Sequence, residues 1–400
     1  MVESWAMAGD MKIEKGLPFA ASFSADRGDW NVLREDLHFP VLVLRDSALS
    51  ANIHGMSEWC WKNGFDLAPH GKTTMCPRIF ERQMDAGAWG ITVATVSQAL
   101  VVLQAGIQLV LIANQVVGAG NLRSLACALN RYPDVEFYCL VDSVEGVACL
   151  ADGLSQHGAR RPLGVLIEIG RTGWRTGARS EEMVQQVYEA VSQRSANLTF
   201  RGVEAFEGLA KNATEAEEFL SAVADIAERV AVRSGASDLI FSAGGSSYLG
   251  PVARVFRALS RGWKRVLRSG CYVTHDHGIY AQQQQTATST DATVPCFTAA
   301  LELWACVQSM PDPGVAIVTF GKRDCAYDIS LPVPLDLPGA TISAINDQHA
   351  YLHYPPDAQL AVGSILRFGI SHPCTAFDKW RVIPLVDDRY NVIDLYPTYF

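Results

Sequence analysis

The chain has 400 residues, of which 49% are hydrophobic and 19% are charged, and its formal net charge at pH 7 is −9. A chain of this length is expected to form two domains, or one large barrel with an extension. The acidic balance offers no basic field for nucleic acid or for an anionic membrane surface. No apolar run reaches the ~18 residues that a transmembrane helix needs.

The first 19 residues, MVESWAMAGDMKIEKGLPF, contain no basic segment followed by an apolar core, so we do not expect a secretory signal peptide. The ten cysteines are scattered without C-x-x-C spacing. In a chain of this size, that pattern is typical of reduced thiols rather than of a disulfide framework. We therefore expect a cytoplasmic protein.

Strand-like apolar runs alternate with helical segments over most of the chain. Residues 1–36 have weak periodicity and are expected to form a flexible start that leads into a short helix. The run PVLVL predicts a first strand at 40–44, and Asp46-Ser47 can cap a helix over 48–61. Eight further strands are expected at 65–68, 91–94, 109–113, 135–141, 163–169, 198–205, 238–242 and 265–268. Helices are expected at 76–86, 96–105, 119–130, 143–155, 181–193, 214–233 and 250–260.

Eight strands over this span predict a closed (β/α)₈ barrel rather than an open sheet, with the strand at 40–44 outside it. Runs such as GVLIEI are continuously apolar, as strands buried on both faces should be. After about Tyr280, short strands separated by Pro, Gly and Asp predict a small β-domain. We expect an extension and strand at 1–45, a barrel at 46–280 and a C-terminal β-domain at 281–400. Gln282–Gln285 is expected to be a polar turn.

The first barrel strand ends in a segment, Pro69-His70-Gly71-Lys72-Thr73-Thr74, that places a lysine where barrel enzymes hold their active sites. Most lysines are solvated surface charges. A lysine that is desolvated at a barrel mouth, however, can form a Schiff base. Gly71 would let the backbone approach a ligand closely, and His70 could hydrogen-bond a ring or a phosphate.

This segment resembles the pyridoxal-phosphate enzymes of the alanine-racemase-like fold. The shared pattern is Pro-His-Gly-Lys-Thr, followed by Gln83–Ala88 and Ile91–Thr95, and the similarity extends over roughly residues 37–400. It is closest to the branch that holds D-threonine aldolases, D-serine dehydratases and 3-hydroxy-D-aspartate dehydratases. The resemblance implies that Lys72 binds pyridoxal 5′-phosphate covalently. It also implies a (β/α)₈ barrel followed by a C-terminal β-domain that the first strand joins, and a homodimer.

A glycine- and serine-rich segment, Ser242–Ser247, follows the seventh barrel strand and precedes a helix. Backbone N–H groups of such a segment, together with a helix N-terminus, favour an anion. Phosphate sites after strands 7 and 8 are frequent in this fold, although most Gly-Gly-Ser loops are plain turns. In the resembled family this loop holds the cofactor phosphate, which assigns Gly244, Gly245 and Ser246 to it.

Two further segments are similar to the family pattern. Gly270-Cys271-Tyr272 resembles a Gly-x-Tyr segment whose tyrosine lies near the phosphate, but Tyr272 could equally be a core residue with a satisfied hydroxyl. Glu168–Gly177 resembles an element whose arginine faces the cofactor ring, and that arginine corresponds to Arg175. A guanidinium there controls how far the ring acts as an electron sink. Arg171 is the alternative, and either arginine could form a surface ion pair instead.

The β-domain contains the sequence His372-Pro373-Cys374. Residues two apart on an extended strand point to the same face, and His and Cys both suit Zn²⁺. A lone H-x-C is more often a packed cysteine beside a satisfied histidine. D-serine dehydratases of the resembled branch bind zinc through such a pair, whereas the aldolases have His-x-Asp. The resemblance therefore implies a metal site at His372 and Cys374 that holds Zn²⁺, or Mn²⁺ or Co²⁺.

Other acidic and imidazole groups could compete for that role. His275-Asp276-His277 is a second candidate metal site or a source of acid–base groups, and its uses cannot be ranked from the sequence. Asp387-Asp388 is expected to form a hairpin turn rather than a ligand pair.

These features predict a pyridoxal-phosphate lyase for a β-hydroxy D-amino acid such as D-serine, D-threonine or 3-hydroxy-D-aspartate. Lys72 would remove the Cα proton, and the metal would act as a Lewis acid on the β-hydroxyl. Cys374, where the aldolases have a carboxylate, favours dehydration to a 2-oxo acid and ammonia over retro-aldol cleavage to glycine and an aldehyde. Racemisation would not need the metal, and a non-catalytic cofactor carrier would not need the β-domain.

Overall fold

A computed structural model describes residues 14–18, 30–260 and 262–400. The chain divides into two compact units. The first contains the described residues up to Ala51 together with 273–282 and 298–399, and the second contains 52–272 and 283–297. The expected flexible start falls mainly on residues 1–13 and 19–29, which lie outside the described residues. A 3₁₀ turn at Val32–Arg34 follows, with the Asn31 side chain as its cap.

The secondary-structure elements follow the predicted alternation. The strands are β1 (Val41–Arg45), β2 (Asp66–Leu67), β3 (Ile91–Val93), β4 (Leu109–Gln115), β5 (Glu136–Val141), β6 (Leu163–Ile169), β7 (Leu198–Ala205), β8 (Leu239–Ala243), β9 (Trp263–Leu267), β10 (Leu301–Asp312), β11 (Val315–Val318), β12 (Val333–Pro334), β13 (Thr341–Ile345), β14 (Ala350–His353), β15 (Ile365–Gly369), β16 (Val382–Val386) and β17 (Val392–Pro397). The helices are α1 (Asp46–Asn63), α2 (Pro77–Asp85), α3 (Val96–Gln104), α4 (Ala119–Arg131), α5 (Val144–Gln156), α6 (Glu181–Ser192), α7 (Ala213–Ser234), α8 (Leu249–Ala258), α9 (Ile279–Thr290) and α10 (Cys374–Phe377).

Within the described residues, β2 to β9 form one parallel sheet of eight strands in the order β2-β9-β8-β7-β6-β5-β4-β3. The two end strands are joined by a bridge between His70, just after β2, and Thr92 of β3. This arrangement confirms the predicted barrel and all eight of its strands. Its interior is filled by one cluster of mostly apolar side chains: Ala68, Leu109, Leu111, Tyr138, Leu140, Leu166, Ile240 and Val266.

The outer helices begin where the sequence places a capping side chain. Thr95, Ser143, Ser180 and Asn212 each accept a hydrogen bond from the backbone N–H three residues later. Such caps satisfy N–H groups that would otherwise lack a partner at the helix start. Of the helices in the described part of the chain, none combines the length and the hydropathy of a membrane span.

The other unit contains a mostly antiparallel sheet, whose nine strands in the described chain include β1. β1 pairs antiparallel with β10 and parallel with β16. Asp387, in the turn between β16 and β17, accepts hydrogen bonds from the N–H groups of Arg389 and Asn391, which confirms the predicted hairpin turn. Side chains of the sheet and of residues ahead of β1 form one apolar cluster: Leu17, Val32, Leu37, Val41, Val43, Trp304, Val382, Val386, Val392 and Leu395.

The expectation for Gln282–Gln285 was wrong, because these residues lie inside helix α9 rather than in a polar turn. The carboxylate of Asp276 accepts hydrogen bonds from the N–H groups of Gly278 and Tyr280 at the start of this helix. A side chain upstream of the helix therefore caps it, and apolar periodicity alone could not predict that.

Thiol reactivity provides a direct test of the packing. All ten cysteines lie in the described residues, and none of them forms a disulfide. Burial raises the pKa of four thiols to about 12, so that they stay neutral and shielded: Cys60, Cys76, Cys139 and Cys325. Three thiols are exposed: Cys127, Cys149 and Cys296. We expect a chromogenic disulfide reagent at mildly alkaline pH to label three thiols quickly in native protein and ten after unfolding. Fast labelling of any of these four shielded cysteines, or of Cys271, which is also buried, would contradict this packing when it is read by peptide mass.

Candidate active site

Lys72 lies in a 3₁₀ turn, Gly71–Thr73, directly after strand β2. Its neighbours Gly71 and Thr73 are buried, whereas the Lys72 side chain is exposed. The Gly71 carbonyl accepts hydrogen bonds from the N–H groups of Thr74 and Met75, at 3.1 and 2.8 Å. The backbone is therefore fixed, and it holds the lysine at the carboxyl end of the barrel.

Gly71 allows close packing within the protein. Close approach of a ligand to its backbone stays a prediction. A Cβ at this position would lie 2.8 Å from the ring of Phe80 and 3.1 Å from Ile91. Phe80 belongs to α2 and is fully buried. The glycine therefore lets the turn that carries Lys72 rest directly on this helix.

His70 is neutral and partly buried next to Lys72. Its pKa lies well below the ordinary value, because burial disfavours the imidazolium and because the cations Lys72, Arg268 and Arg175 are near. The Nδ1 atom is inaccessible to solvent and has no hydrogen-bond partner among the described residues. A Cβ at Gly270 would lie 2.5 Å from the His70 carbonyl oxygen, so this glycine lets the two strand ends approach each other.

A buried ion pair joins the ends of β7 and β9. Arg268 donates from Nη2 to the carboxylate of Glu204 and to the Ala205 carbonyl, the latter at 2.9 Å. Burial raises the pKa of Glu204 to about 7; the Arg268 guanidinium opposes this shift and the nearby Glu168 carboxylate adds to it. One carboxylate oxygen of Glu204 and Nε of Arg268 lack partners among the described residues. Unpaired buried polar atoms of this kind are uncommon and mark positions where a ligand can bind.

The structure distinguishes the two candidate arginines. Arg171 forms an ion pair with Glu215 at 2.9 Å, and its side chain is largely exposed. The Arg175 guanidinium lies 4.3 Å from the centre of the Phe206 ring. The charge of Arg175 contributes to the low pKa of His70 and opposes the rise in the pKa of Glu204, so it is near the Lys72 turn. Arg175 is therefore the arginine that shares the electrostatic environment of the site.

Two N–H groups of the predicted phosphate loop are engaged by a carboxyl group of the chain itself, and the role of the loop in phosphate binding stays a prediction. The N–H groups of Gly244 and Gly245 donate to the Glu207 carboxylate at 3.1 and 2.7 Å. Glu207 is completely buried; burial raises its pKa, and the hydrogen bonds from the two glycines oppose this shift. In this structure, therefore, the two glycine N–H groups are engaged by Glu207. Ser246 lies beyond them, just ahead of α8.

The Gly270–Tyr272 segment connects the Lys72 turn to this loop. The Cys271 N–H donates to Ser246 Oγ at 3.2 Å, and Cys271 Sγ lies 3.6 Å from Thr73 Oγ1. Tyr272 is 2% exposed, and its hydroxyl accepts a hydrogen bond from Gln83 Nε2 at 2.9 Å. Tyr272 is thus a buried residue with a satisfied hydroxyl, and its position near a cofactor phosphate stays a prediction.

The local geometry predicted for the metal pair was wrong. Strand β15 ends at Gly369, before His372 and Cys374. His372 has a left-handed backbone (φ +68°), and Cys374 is the first residue of the short helix α10. Pro373 lies between them with a helical φ of −62°, so no extended strand orients the two side chains.

Contacts within its own unit fix both the backbone and the ring of His372. Its N–H donates to Asp276 Oδ2 at 2.9 Å, and its ring Nδ1 lies 2.5 Å from Asp328 Oδ2. Thr375 donates from its hydroxyl to the other oxygen of Asp328, at 2.7 Å. Nε2 is therefore the ring nitrogen left to bind a ligand.

The His275-Asp276-His277 cluster has a structural use. Both oxygens of Asp276 are engaged, one at the start of α9 and one by the His372 N–H. Burial lowers the pKa of His275, and it lowers the pKa of His277 to about 4, so both rings are neutral at neutral pH. Nowhere in the described part of the chain do three or more His, Cys, Asp or Glu side chains form a group that could hold a metal ion.

Comparison with known proteins identifies the family. The family described as "Alanine racemase, N-terminal domain" matches residues 45–251, just over half of the chain, and "Putative serine dehydratase domain" matches 300–386. The chain is 30% identical over 362 residues to a D-threonine aldolase of an Arthrobacter species, covering 87% of this chain and 89% of that protein. The chain belongs to the alanine-racemase-like family of fold-type III pyridoxal-phosphate enzymes.

Other relatives span both units of this alanine-racemase-like chain. It is 25% identical over 359 residues to a 3-hydroxy-D-aspartate aldolase of Paracoccus denitrificans, covering 87% of this chain and 88% of that protein. The crystal structure of the D-threonine aldolase from Filomicrobium marinum matches with a TM-score of 0.80 and 27% identity, covering 91% of this chain and 95% of that one. A D-threo-3-hydroxyaspartate dehydratase from Delftia sp. HT23 shares the fold (TM-score 0.71, 22% identity, 91% and 98% covered).

In this alanine-racemase-like chain, the structure brings Lys72, His70, Arg175 and Ser246 to one end of the barrel, as the motifs predict. The sequence reasoning missed Glu207 and Asp328. Glu207 lies two residues beyond the end of strand β7, and a carboxylate near a barrel strand end is a signal that could have been used. Asp328 has no comparable signal, because it lies 44 residues from His372 and outside the regular strands.

Proposed function

We propose that this chain is a pyridoxal-phosphate- and metal-dependent lyase that cleaves a β-hydroxy D-amino acid to glycine and an aldehyde. The observation that carries the proposal is the 30% identity to a D-threonine aldolase over 87% of the chain. That match is long enough to include both the barrel unit with Lys72 and the sheet unit with His372. The second curated relative is also named an aldolase.

The residues at the barrel end fit pyridoxal phosphate. Lys72 is exposed on a fixed turn, and buried polar atoms of His70, Glu204 and Arg268 lack partners among the described residues. When bound, the cofactor supplies an electron sink for the electron pair that is left at Cα. Lys72 would hold it covalently and carry the proton at Cα. Ser246 and the N-terminus of α8 would take its phosphate, and Arg175 would lie near its ring.

His372 and Cys374 are the proposed ligands of a divalent cation. The donor types fit, because an imidazole and a thiolate suit Zn²⁺, with Mn²⁺ or Co²⁺ as alternatives. The contact between Nδ1 and Asp328 also fits, since a ligating histidine usually bonds a carboxylate through its other nitrogen. The cation would supply Lewis acidity at the β-hydroxyl of the substrate.

Dehydration to a 2-oxo acid and ammonia is the second candidate, and Cys374 is the observation that favours it. Solved variants of D-threo-3-hydroxyaspartate dehydratase replace a histidine and a cysteine two positions apart, and the cysteine variant is in a metal-free form. This chain has the same spacing at His372 and Cys374. The expectation from the sequence rested on that cysteine, whereas the higher identities to aldolases favour cleavage.

Product analysis tests the proposal. Purified protein is incubated with D-threonine, D-serine and D-threo-3-hydroxyaspartate, with L-threonine as the stereochemical control. We expect glycine and an aldehyde from a D-substrate only, lost with EDTA and restored by added Zn²⁺ or Mn²⁺. If keto acid and ammonia form instead of glycine and an aldehyde, the reaction is dehydration. If protein that retains bound cofactor forms neither pair of products, the proposed lyase activity is wrong.

Assembly and location stay predictions from the sequence. We propose a homodimer in the cytoplasm, and sedimentation of the purified protein and fractionation of the source cells would test these two points.

A further inference from the structure

We propose that Asp328 is a positioning residue that fixes the tautomer and the orientation of His372, so that Nε2 is presented to the metal ion. This inference rests on the function proposed above, because it assigns a role next to the proposed metal ligand.

The first support is the contact itself. Asp328 Oδ2 lies 2.5 Å from Nδ1 of His372. An ionised carboxylate can only accept hydrogen bonds, so the proton of a neutral imidazole is kept on Nδ1. Nε2 then carries the lone pair that a cation requires. Without this partner the imidazole would be divided between two tautomers, of which only one offers Nε2.

The second support is that the carboxylate is itself held in place. The Asp328 side chain is 42% exposed, so it would rotate freely without a second contact. Thr375 provides that contact through the 2.7 Å hydrogen bond from its hydroxyl to Asp328 Oδ1. Thr375 follows Cys374 directly on α10. The short segment that carries both proposed ligands therefore also carries the group that orients Asp328.

The third support is the backbone of His372. A left-handed φ of +68° is disfavoured by the Cβ atom of any residue other than glycine. The conformation is held by the hydrogen bond from the His372 N–H to Asp276, whose other oxygen accepts N–H groups at the start of α9. Strained residues persist where several contacts determine them together, and they cluster at functional sites. Asp276 therefore fixes the backbone conformation of His372, and Asp328 fixes the orientation of its ring.

A structural role and a positioning role for Asp328 predict different metal affinities for the Asp328→Asn variant. If Asp328 only tied two segments together, an asparagine of the same shape would replace it with little effect. If it sets the tautomer, the asparagine amide can donate to Nδ1 and drive the proton to Nε2, which blocks the metal.

The test compares metal affinity in protein that carries its cofactor, measured by competition with a chromogenic chelator for Zn²⁺. The variants are Asp328→Asn, Thr375→Val, Thr375→Ser and His372→Ala. Asp347→Asn is the control, because Asp347 is 70% exposed in a surface ion pair of the same unit. We expect Asp328→Asn to weaken Zn²⁺ binding by about 10–100-fold. Thr375→Val should weaken it less, and Thr375→Ser and Asp347→Asn should bind as the wild type does. The visible absorbance of the bound cofactor should be the same in all variants.

Two failures can be told apart. Wild-type affinity in Asp328→Asn, with binding lost in His372→Ala, would overturn the positioning role alone. Wild-type affinity in His372→Ala would overturn the proposed metal site, and this inference with it. If Asp328→Asn does not fold, the two Thr375 variants decide, since equal affinities for Val and Ser would contradict the role of Asp328.

Discussion

Replacing Lys72 with alanine is expected to abolish covalent binding of pyridoxal phosphate and to lower turnover by more than about 10³-fold. The loss combines covalent catalysis with general-base catalysis, which alone contributes roughly 10²–10⁴-fold. The fold should survive, because the Lys72 side chain is exposed and its turn is held by the backbone of Gly71 and by the packing on Phe80.

The measurement is the visible absorption of the bound cofactor, followed by borohydride reduction and peptide mass. Wild-type protein should carry the reduced adduct on Lys72, and the alanine variant should carry none. Lys72→Arg keeps the positive charge near His70 but should also carry no adduct, which separates charge from covalent attachment. Lys62→Ala is the matched control, since Lys62 is 61% exposed in a helical ion pair with Glu58. A reducible chromophore in Lys72→Ala would show that another amine holds the cofactor.

Local signals in the sequence were sufficient to predict the barrel. Most residues of the strands β4 to β8 are buried. Thr95, Ser143, Ser180 and Asn212 lie at helix starts, and their side chains cap them. Even β2, with only two residues, was expected, because a glycine-containing turn and then a helix follow it and mark where it ends. These signals act within a few residues along the chain, which is why a single sequence reveals them.

Contacts between distant residues explain most of what the sequence did not predict. The N–H groups of Gly244 and Gly245 were expected to bind a phosphate. In the structure they bind the carboxyl group of Glu207, which lies 37 residues upstream of Gly244. The left-handed turn at His372 depends on Asp276, 96 residues away. The position of Glu207 near a strand end indicates a site residue but not its partner, and Asp276 has no local pattern that links it to His372. A motif therefore predicts what a loop can bind, whereas the group that binds there depends on the tertiary fold.

Replacing His372 with alanine is expected to separate two partial reactions. Cleavage of D-threonine should fall by roughly 10²–10³-fold, because Lewis-acid assistance at the β-hydroxyl contributes several kcal/mol and each 1.36 kcal/mol is tenfold in rate. Exchange of the Cα proton of D-alanine with deuterated water should stay near the wild-type rate, since D-alanine has no β-hydroxyl and Lys72 is unchanged. The two rates are read by aldehyde assay and by proton NMR on the same protein.

His353→Ala is the control for the loss of an imidazole from the same unit, because His353 is exposed on strand β14. This substitution should leave both rates unchanged. Lys72→Ala should lose both reactions, so the three variants together assign proton transfer to the lysine and activation of the β-hydroxyl to the histidine. An equal loss of exchange and cleavage in His372→Ala would mean that His372 supports the fold or the cofactor instead. Unchanged cleavage in that variant would overturn the role proposed for a metal ion at His372.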